Sequence, residues 1–173
     1  ADLARRRGDQ WSYAHTLNGL GDLFSASGSF ERAKTDYQLS LHMFQELDDR
    51  WLIAWCEEGL GLTEFRQKNF VAALEHTARG LSLFNELGDQ MNVAVMMLRA
   101  GDIQLNLSQT EIAAMLAGGA SRIIDSLGTS DEGRSPRIEN ARSRCKYYEN
   151  RWRLEWADGR NSPQHELIQI AQS

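Results

Sequence analysis

The sequence predicts an all-α fold, a solenoid of antiparallel helix pairs, and three observations support this prediction. A pattern of small and large residues occurs three times at an interval of 40 residues. Within each repeat, the apolar residues follow the three- and four-residue steps of an amphipathic helix. The 173 residues include only two prolines, too few for a chain of many short strands and turns.

The repeat is defined by matched positions that keep the same residue or a similar one. The units are predicted to cover about 9–47, 49–87 and 89–127, so that residues 1–128 form one array. The matched sets are Gly8, Asp48 and Gly88; Trp11, Trp51 and Met91; Ala14, Ala54 and Ala94; Gly21, Gly61 and Gly101; Ala33, Ala73 and Ala113; Phe44, Phe84 and Ile124; and Leu47, Leu87 and Leu127.

Each unit is predicted to hold two helices, which in the first unit are residues 10–27 and 30–47. The breaks inside the units are predicted at 27–29, 67–69 and 106–108, where Gly, Ser and Asn interrupt the helical pattern. Between units, we expect the boundary Gly or Asp to adopt the left-handed conformation. The Asp that follows it should cap the next helix.

Residues 129–173 are predicted to form two helices that cap the array. Residues 128–135 are predicted as a loop, and Pro136 suits the first turn of a helix of about twenty residues. Ser162 and Pro163 indicate the start of a second, short helix. One face of the longer helix is predicted to carry Cys145, Tyr148, Trp152 and Trp156.

Charge and composition exclude several classes of function. Asp and Glu outnumber Lys and Arg by 24 to 19, and the net charge of −5 opposes direct binding of nucleic acid. The chain has no apolar run of bilayer length and no signal peptide, so we expect a cytoplasmic protein without a membrane partner. Cys56 and Cys145 are too few for a disulfide scaffold or a zinc site and are expected to be reduced core residues. Because the chain starts without Met, in what resembles the last turn of a helix, we expect a fragment of a larger protein.

Residues that could carry catalysis are few. The four histidines lie on different predicted helices, and the sequence contains no HExxH, GxSxG or P-loop motif. We therefore expect no catalytic residue, no metal and no cofactor. The glycines of 19–21 and 59–61 are predicted to pack helices rather than to bind a dinucleotide. The acidic pairs Glu57-Glu58 and Asp48-Asp49 could be acid–base or metal carboxylates, but a solvated helix face and helix caps are favoured.

The matched glycines and alanines resemble the signature of the tetratricopeptide repeat family. A small residue, Gly21, Gly61 or Gly101, is followed twelve residues later by Ala33, Ala73 or Ala113. Other small residues recur at Ser40, Gly80 and Ala120. The period of 40 residues departs from the 34 of the family, which adds nearly one turn to each helix. The resemblance implies a right-handed superhelical solenoid.

A narrower resemblance is to the long-helix tetratricopeptide arrays of bacterial regulators. In these proteins a P-loop signal-transduction ATPase is joined to a LuxR-type DNA-binding domain or to a nucleotide cyclase. The segments 116–120, 123–128 and 156–160 resemble the C-terminal tail of such regulators. This resemblance implies a non-catalytic regulatory module in transcription or signal transduction. Its partner would be a protein or peptide, either separate or another domain of its own parent chain.

The family resemblance also implies a binding surface, because the first helix of each unit lines a concave groove. The residues at the matching positions are His15, Asn18 and Asp22 in the first unit, Trp55, Glu58 and Leu62 in the second, and Val95, Leu98 and Asp102 in the third. Only Asn18 matches the Lys and Asn residues with which some family members grip a C-terminal carboxylate, so that function is disfavoured. An apolar or basic helix suits this acidic-rimmed groove better.

Two alternatives to a protein-binding groove stay open. The groove could sense a small signal molecule or a short peptide, or it could form an enzyme site from His15, Asp22 and Glu58. Tryptophans near helix starts are expected to lie in the core or between repeats, with Trp55 as the exception. We therefore expect Trp55→Ala to weaken partner binding while leaving the fold intact.

Overall fold

The computed structural model describes residues 2–127 and 136–172, with side chains from Gly8 onward. These residues form nine α-helices and contain no strand, which confirms the all-α prediction. The predicted loop at 128–135 lies outside the described residues. The helices are α1 (Asp2–Ala26), α2 (Phe30–Leu47), α3 (Arg50–Arg66), α4 (Phe70–Glu86), α5 (Gln90–Asn106), α6 (Thr110–Leu127), α7 (Pro136–Arg151), α8 (Arg153–Asn161) and α9 (Gln164–Gln172).

The boundaries after α2 and α4 are built as predicted. Asp48 and Gly88 adopt the left-handed conformation, with φ of 57° and 73°, and so end the preceding helix. The carboxylate of Asp49 then accepts the backbone N–H of Leu52 at 3.1 Å. Asp89 caps α5 in the same way, through a 3.0 Å bond from the N–H three residues on.

The breaks inside the units also follow one pattern. They fall at 27–29, 67–69 and 107–109, the last shifted by one residue from the prediction. Their middle residues are Gly28, Lys68 and Ser108, with φ of 80°, 65° and 65°. Each break begins after a helix end, and these ends, Ala26, Arg66 and Asn106, recur at the interval of the sequence repeat.

The predicted boundary at Gly8-Asp9 is wrong, because α1 continues through it from Asp2 to Ala26. A glycine inside a helix costs about 1 kcal/mol relative to alanine. A helix of 25 residues tolerates this cost. With no left-handed residue at this point, Asp9 has no helix start to cap.

The predicted single helix after Pro136 is also wrong, because it divides at Trp152. Trp152 has a φ of −135°, which lies outside the helical region. Trp156 therefore lies on a different helix from Cys145 and Tyr148. The change of direction lets α8 pack against α6. The short helix predicted after Ser162-Pro163 is confirmed as α9.

The chain divides into two compact units, Ala1–Leu83 and Phe84–Ser173. In the first, α2 packs against both α1 and α3. In the second, α6 packs against α5, α7, α8 and α9. The proposed grouping of residues 1–128 and 129–173 stays a prediction. Two core clusters of the first unit are Ala14, Phe44, Leu52 and Cys56, and Ala33, Tyr37 and Leu60.

Two of the matched glycines allow helices to cross closely. A Cβ atom on Gly61 would lie 3.4 Å from the carbonyl oxygen of Ala73, and one on Gly101 would lie 3.1 Å from that of Ala113. Both alanines are fully buried. The predicted contact between the Gly of a first helix and the Ala twelve residues later is therefore present at these two crossings.

In the first unit, glycines make room for an aromatic ring. A Cβ atom on Gly21 would come within 2.8 Å of the ring of Tyr37, and one on Gly59 would overlap the same ring. Tyr37 of α2 therefore packs against glycines of both α1 and α3. Gly19 is different, because it is exposed and nothing lies within 4 Å of the place its Cβ would take. Within this unit, Gly19 therefore does not pack against another helix as predicted.

Candidate functional site

The predicted partner-binding residues of α1 differ in their freedom to bind. His15 is exposed, and its ring stacks on that of Trp11 with a centroid distance of 5.1 Å. Asn18 is half-buried and donates from Nδ2 to Cys56 Sγ at 3.2 Å. Asp22 accepts the Tyr37 hydroxyl at 2.6 Å. His15 and Asp22 are both exposed, so of these three residues Asn18 is the one that is partly covered.

The predicted residues of α3 are more enclosed. Trp55 is half-buried, packs against the core cluster that contains Phe44, and lies 5.4 Å from the ring of Trp51. Glu58 is buried, and Leu62 is half-buried. Trp55 therefore contributes to the core as well as to the surface.

The predicted residues of α5 lie in the second unit and are mostly inaccessible. Val95 is buried and Leu98 is fully buried, so neither side chain presents a surface to a partner. Asp102 is half-buried and accepts the Tyr148 hydroxyl at 2.9 Å. It also forms an ion pair with Arg144. In this unit the matching positions serve packing and the attachment of α7.

The prediction of a solvated face for Glu57 and Glu58 is wrong, because both side chains are buried. Glu57 Oε2 accepts the Arg79 Nε–H at 3.0 Å and lies 2.7 Å from His76 Nδ1. A buried carboxylate requires such compensation, because desolvation penalises an unpaired charge. The packing of α4 on α3 supplies that compensation, which a pattern of charges along the sequence does not show.

The structure exposes two aromatic residues that we expected to be covered. Trp11 and Trp51 are 41% and 45% exposed, although they occupy matched positions of the repeat. Trp11 Nε1 donates to Asp49 Oδ2 at 3.0 Å, which ties α1 to the start of α3. Trp11, His15, Trp51 and Trp55 are together called the aromatic patch. The recurrence of Trp at matched positions of the first two units is a sequence signal that could have indicated this patch, although we expected these residues to be covered.

The buried ionisable groups are suited to packing rather than to nucleophilic chemistry. Burial raises the pKa of the Cys56 thiol and raises that of Cys145 to about 12. A thiol with a raised pKa is a poor nucleophile because little thiolate is present at neutral pH. Burial and the neighbouring aspartates also raise the pKa values of Tyr37 and Tyr148 well above the ordinary value.

The enzyme alternative requires His15, Asp22 and Glu58 to act together. His15 stacks on Trp11, whereas Asp22 is held by the hydroxyl of Tyr37. Each of these two groups is thus oriented by a different neighbour. In residues 2–127 and 136–172, no group of three His, Cys, Asp or Glu side chains is placed to hold a metal ion.

Comparison with known proteins identifies no family for this chain. No protein-family model matches it, and no curated protein or solved structure is significantly similar to it. Among the described helices, none combines the length and the apolar character needed to cross a membrane. The inference of function therefore depends on the chain's own repeat and contacts.

Proposed function

We propose that this chain is a non-catalytic protein-interaction module whose aromatic patch binds an apolar or basic helix or peptide. The observation that carries the proposal is the exposure of two tryptophans at matched positions, Trp11 on α1 and Trp51 on α3. Tryptophan is enriched among the residues that dominate binding energy, because its ring buries a large apolar area with few degrees of freedom.

The proposal includes a tetratricopeptide-like solenoid as the scaffold. Its support is the recurrence of helix ends and left-handed residues at the interval of the sequence repeat. The close crossings at Gly61 and Gly101 add further support. In this scaffold, first helices present their side chains along one surface. His15 and Trp55, which come from matched positions, fit that arrangement.

The charges near the aromatic patch favour a basic partner. Asp49 is half-buried and accepts the Trp11 indole N–H, and Asp48, the residue before it, is exposed. Carboxylates at the rim of an interface raise the rate of association with Lys- or Arg-containing partners. Binding should therefore weaken as the salt concentration rises. The partner can be a separate cytoplasmic protein or another domain of a parent signalling regulator.

A selection experiment tests this proposal with peptides of random sequence in place of a natural partner. A phage-displayed library of random helical peptides is selected against the chain, and the selected peptides are titrated by isothermal calorimetry. We expect apolar and basic residues to be enriched. Trp11→Ala and Trp51→Ala should each weaken binding by about tenfold or more, because loss of a dominant residue costs more than about 1.4 kcal/mol.

Leu154 provides a matched control, because it is an exposed apolar residue on α8 in the other unit. Leu154→Ala should leave the affinity of the selected peptides unchanged. Thermal melting of each variant by circular dichroism should show that the fold is retained. Peptides that bind the two tryptophan variants as tightly as the parent chain would show that the aromatic patch is not the binding surface.

A further inference from the structure

The side of α1 that faces away from α2 and α3 carries an exposed apolar surface. Its residues are spaced by three and four positions and therefore share one face of the helix. Tyr13 is 55% exposed and Leu23 is 66% exposed. We call this surface the α1 outer face; it consists of Tyr13, Thr16, Gly19, Leu20 and Leu23.

Gly19 is the unusual member of the α1 outer face. Glycine is the least favourable residue in a helix interior apart from proline, because it loses the most backbone entropy. No atom within this unit approaches the place where its Cβ would lie. The local contacts therefore give no reason for a glycine at this position.

The matched positions on α3, in the next unit of the repeat, are covered. Gly59 corresponds to Gly19, and its missing Cβ leaves room for the ring of Tyr37 from the preceding helix pair. Leu60, which corresponds to Leu20, is almost fully buried in a cluster with the same Tyr37. The helix pair α1–α2 thus supplies the cover for the outer face of α3.

Polar contacts mark the same interface. Thr63, which corresponds to Leu23, donates its hydroxyl to Ser25 Oγ at 2.9 Å. Cys56, which corresponds to Thr16, donates to Ser40 Oγ at 3.4 Å. All four side chains are buried. The interface therefore extends along at least two turns of α3.

From this correspondence we propose that the α1 outer face seats a further helix pair of the same kind. That pair lies on α1 as α1–α2 lies on α3, and it places a large aromatic ring over Gly19. The missing Cβ of Gly19 provides the space for the ring, and Leu20 and Leu23 provide the apolar contact area. This surface is separate from the aromatic patch, so the inference is independent of the proposed function.

An extended chain tests the proposal directly. Residues 1–9 are replaced by a second copy of residues 10–49, so that Asp49 of the copy directly precedes Gln10. This junction reproduces the register between α2 and α3 and brings the copy's Tyr37 over Gly19. The variant Gly19→Ala is then made in the original chain and, in the extended chain, at the Gly19 that follows the junction, with the Gly19 of the added copy left unchanged. The urea midpoint of each protein is measured by circular dichroism.

We expect opposite effects of Gly19→Ala in the two chains. In the original chain the midpoint should rise, because alanine favours the helix and meets no neighbour. In the extended chain the midpoint should fall, because the new Cβ meets the added tyrosine ring. Gly59→Ala is the matched control and should lower the midpoint in both chains. A rise of equal size in both chains for Gly19→Ala would overturn the proposal.

Hydrogen exchange covers the case in which the added copy does not fold. The amides of α1 should exchange more slowly in the extended chain than in the original one. Unchanged exchange would overturn the proposal, because the face would then receive no helix pair. Analytical sedimentation of the original chain tests whether a second copy of this chain occupies the α1 outer face instead. A dimer that Leu23→Asp dissociates would assign the face to that second copy and overturn the proposal.

Discussion

The crossing of α6 and α8 allows a sharp test of how glycine controls packing. A Cβ atom on Gly159 of α8 would overlap the backbone of Met115 on α6. On the opposite side, a Cβ atom on Gly118 of α6 would overlap the backbone of Trp156 and lie 2.7 Å from the N atom of Arg160. Because backbone atoms form these contacts, a change of rotamer cannot relieve them. Gly159→Ala must therefore push the two helices apart.

The expected loss of stability can be worked out from opposing effects. Alanine favours the helix over glycine by about 1 kcal/mol. Overpacking of a close contact costs about 1–3 kcal/mol or more, and a gap of about 1 Å removes up to half of the dispersion energy of the separated atoms. Moving α8 also strains the bonds of Arg160 to Ser121 at 3.1 Å and to Asp125 at 2.7 Å. Because the overpacking and the strained bonds together outweigh the gain in helix propensity, we expect a net loss of about 2 kcal/mol.

Urea denaturation followed by far-ultraviolet circular dichroism measures this loss. With a slope of about 2 kcal/mol per molar urea, the midpoint should fall by about 1 M. Gly19→Ala is the control, because it adds the same methyl group to a helix without a close neighbour and should raise the midpoint. If Gly159→Ala raised the midpoint as Gly19→Ala does, the argument from the α6–α8 crossing would be refuted.

Three further predictions concern a turn, the core and buried tyrosines. Lys68→Gly should raise the free energy of unfolding by about 1 kcal/mol in urea titrations, because Lys68 has a φ of 65° that glycine adopts without strain. Trp55→Ala should lower that free energy by about 2–4 kcal/mol, because the ring packs against a core cluster; unchanged stability with weaker peptide binding would support the expectation from sequence instead. Because burial raises the pKa values of Tyr37 and Tyr148 above the ordinary 10.0, both favour the folded state while protonated, and the urea midpoint should fall as the pH rises above about 10.

The turns could be predicted from sequence because their signals are local. Gly28, Asp48 and Asp49 belong to residue types that favour the left-handed conformation or the N-cap. Lys68 has no such preference, yet its position in the break was predicted from the repeat alone. A repeat thus locates a helix end even where the local residue does not favour it.

The C-terminal helices were harder to predict because their contacts are distant in sequence. The periodic face of Cys145, Tyr148, Trp152 and Trp156 indicates one continuous helix, but the chain divides at Trp152. The contact of Gly159 with Met115 joins residues far apart in the sequence. No local pattern reveals that α8 must turn to reach α6.

The helix positions of the candidate site could be predicted from the register of the repeat. The burial of the residues at those positions could not be predicted from it. His15 and Trp55 occupy matched positions, yet His15 is exposed and Trp55 is half-buried against the core. Leu98 was expected to contact a partner and is fully buried. Register specifies the helix face on which a residue lies, whereas burial also depends on every element packed against that face.

Glycines that recur at matched positions of the repeat predict a different kind of contact from glycines that occur in one unit alone. Gly19 and Gly59 are matched, so the repeat predicts the same kind of contact for both, and the contact of Gly59 with Tyr37 indicates what Gly19 should receive. Gly118 has no glycine among its matched positions, and it packs on α8, an element that follows the last repeat. A matched glycine therefore predicts a contact common to the units, and an unmatched glycine predicts a contact made by one unit alone. Trp11 and Trp51 depart from this rule, because they keep their residue type at matched positions and are nevertheless exposed. A retained residue that packing leaves exposed is the kind of position at which partner binding is expected.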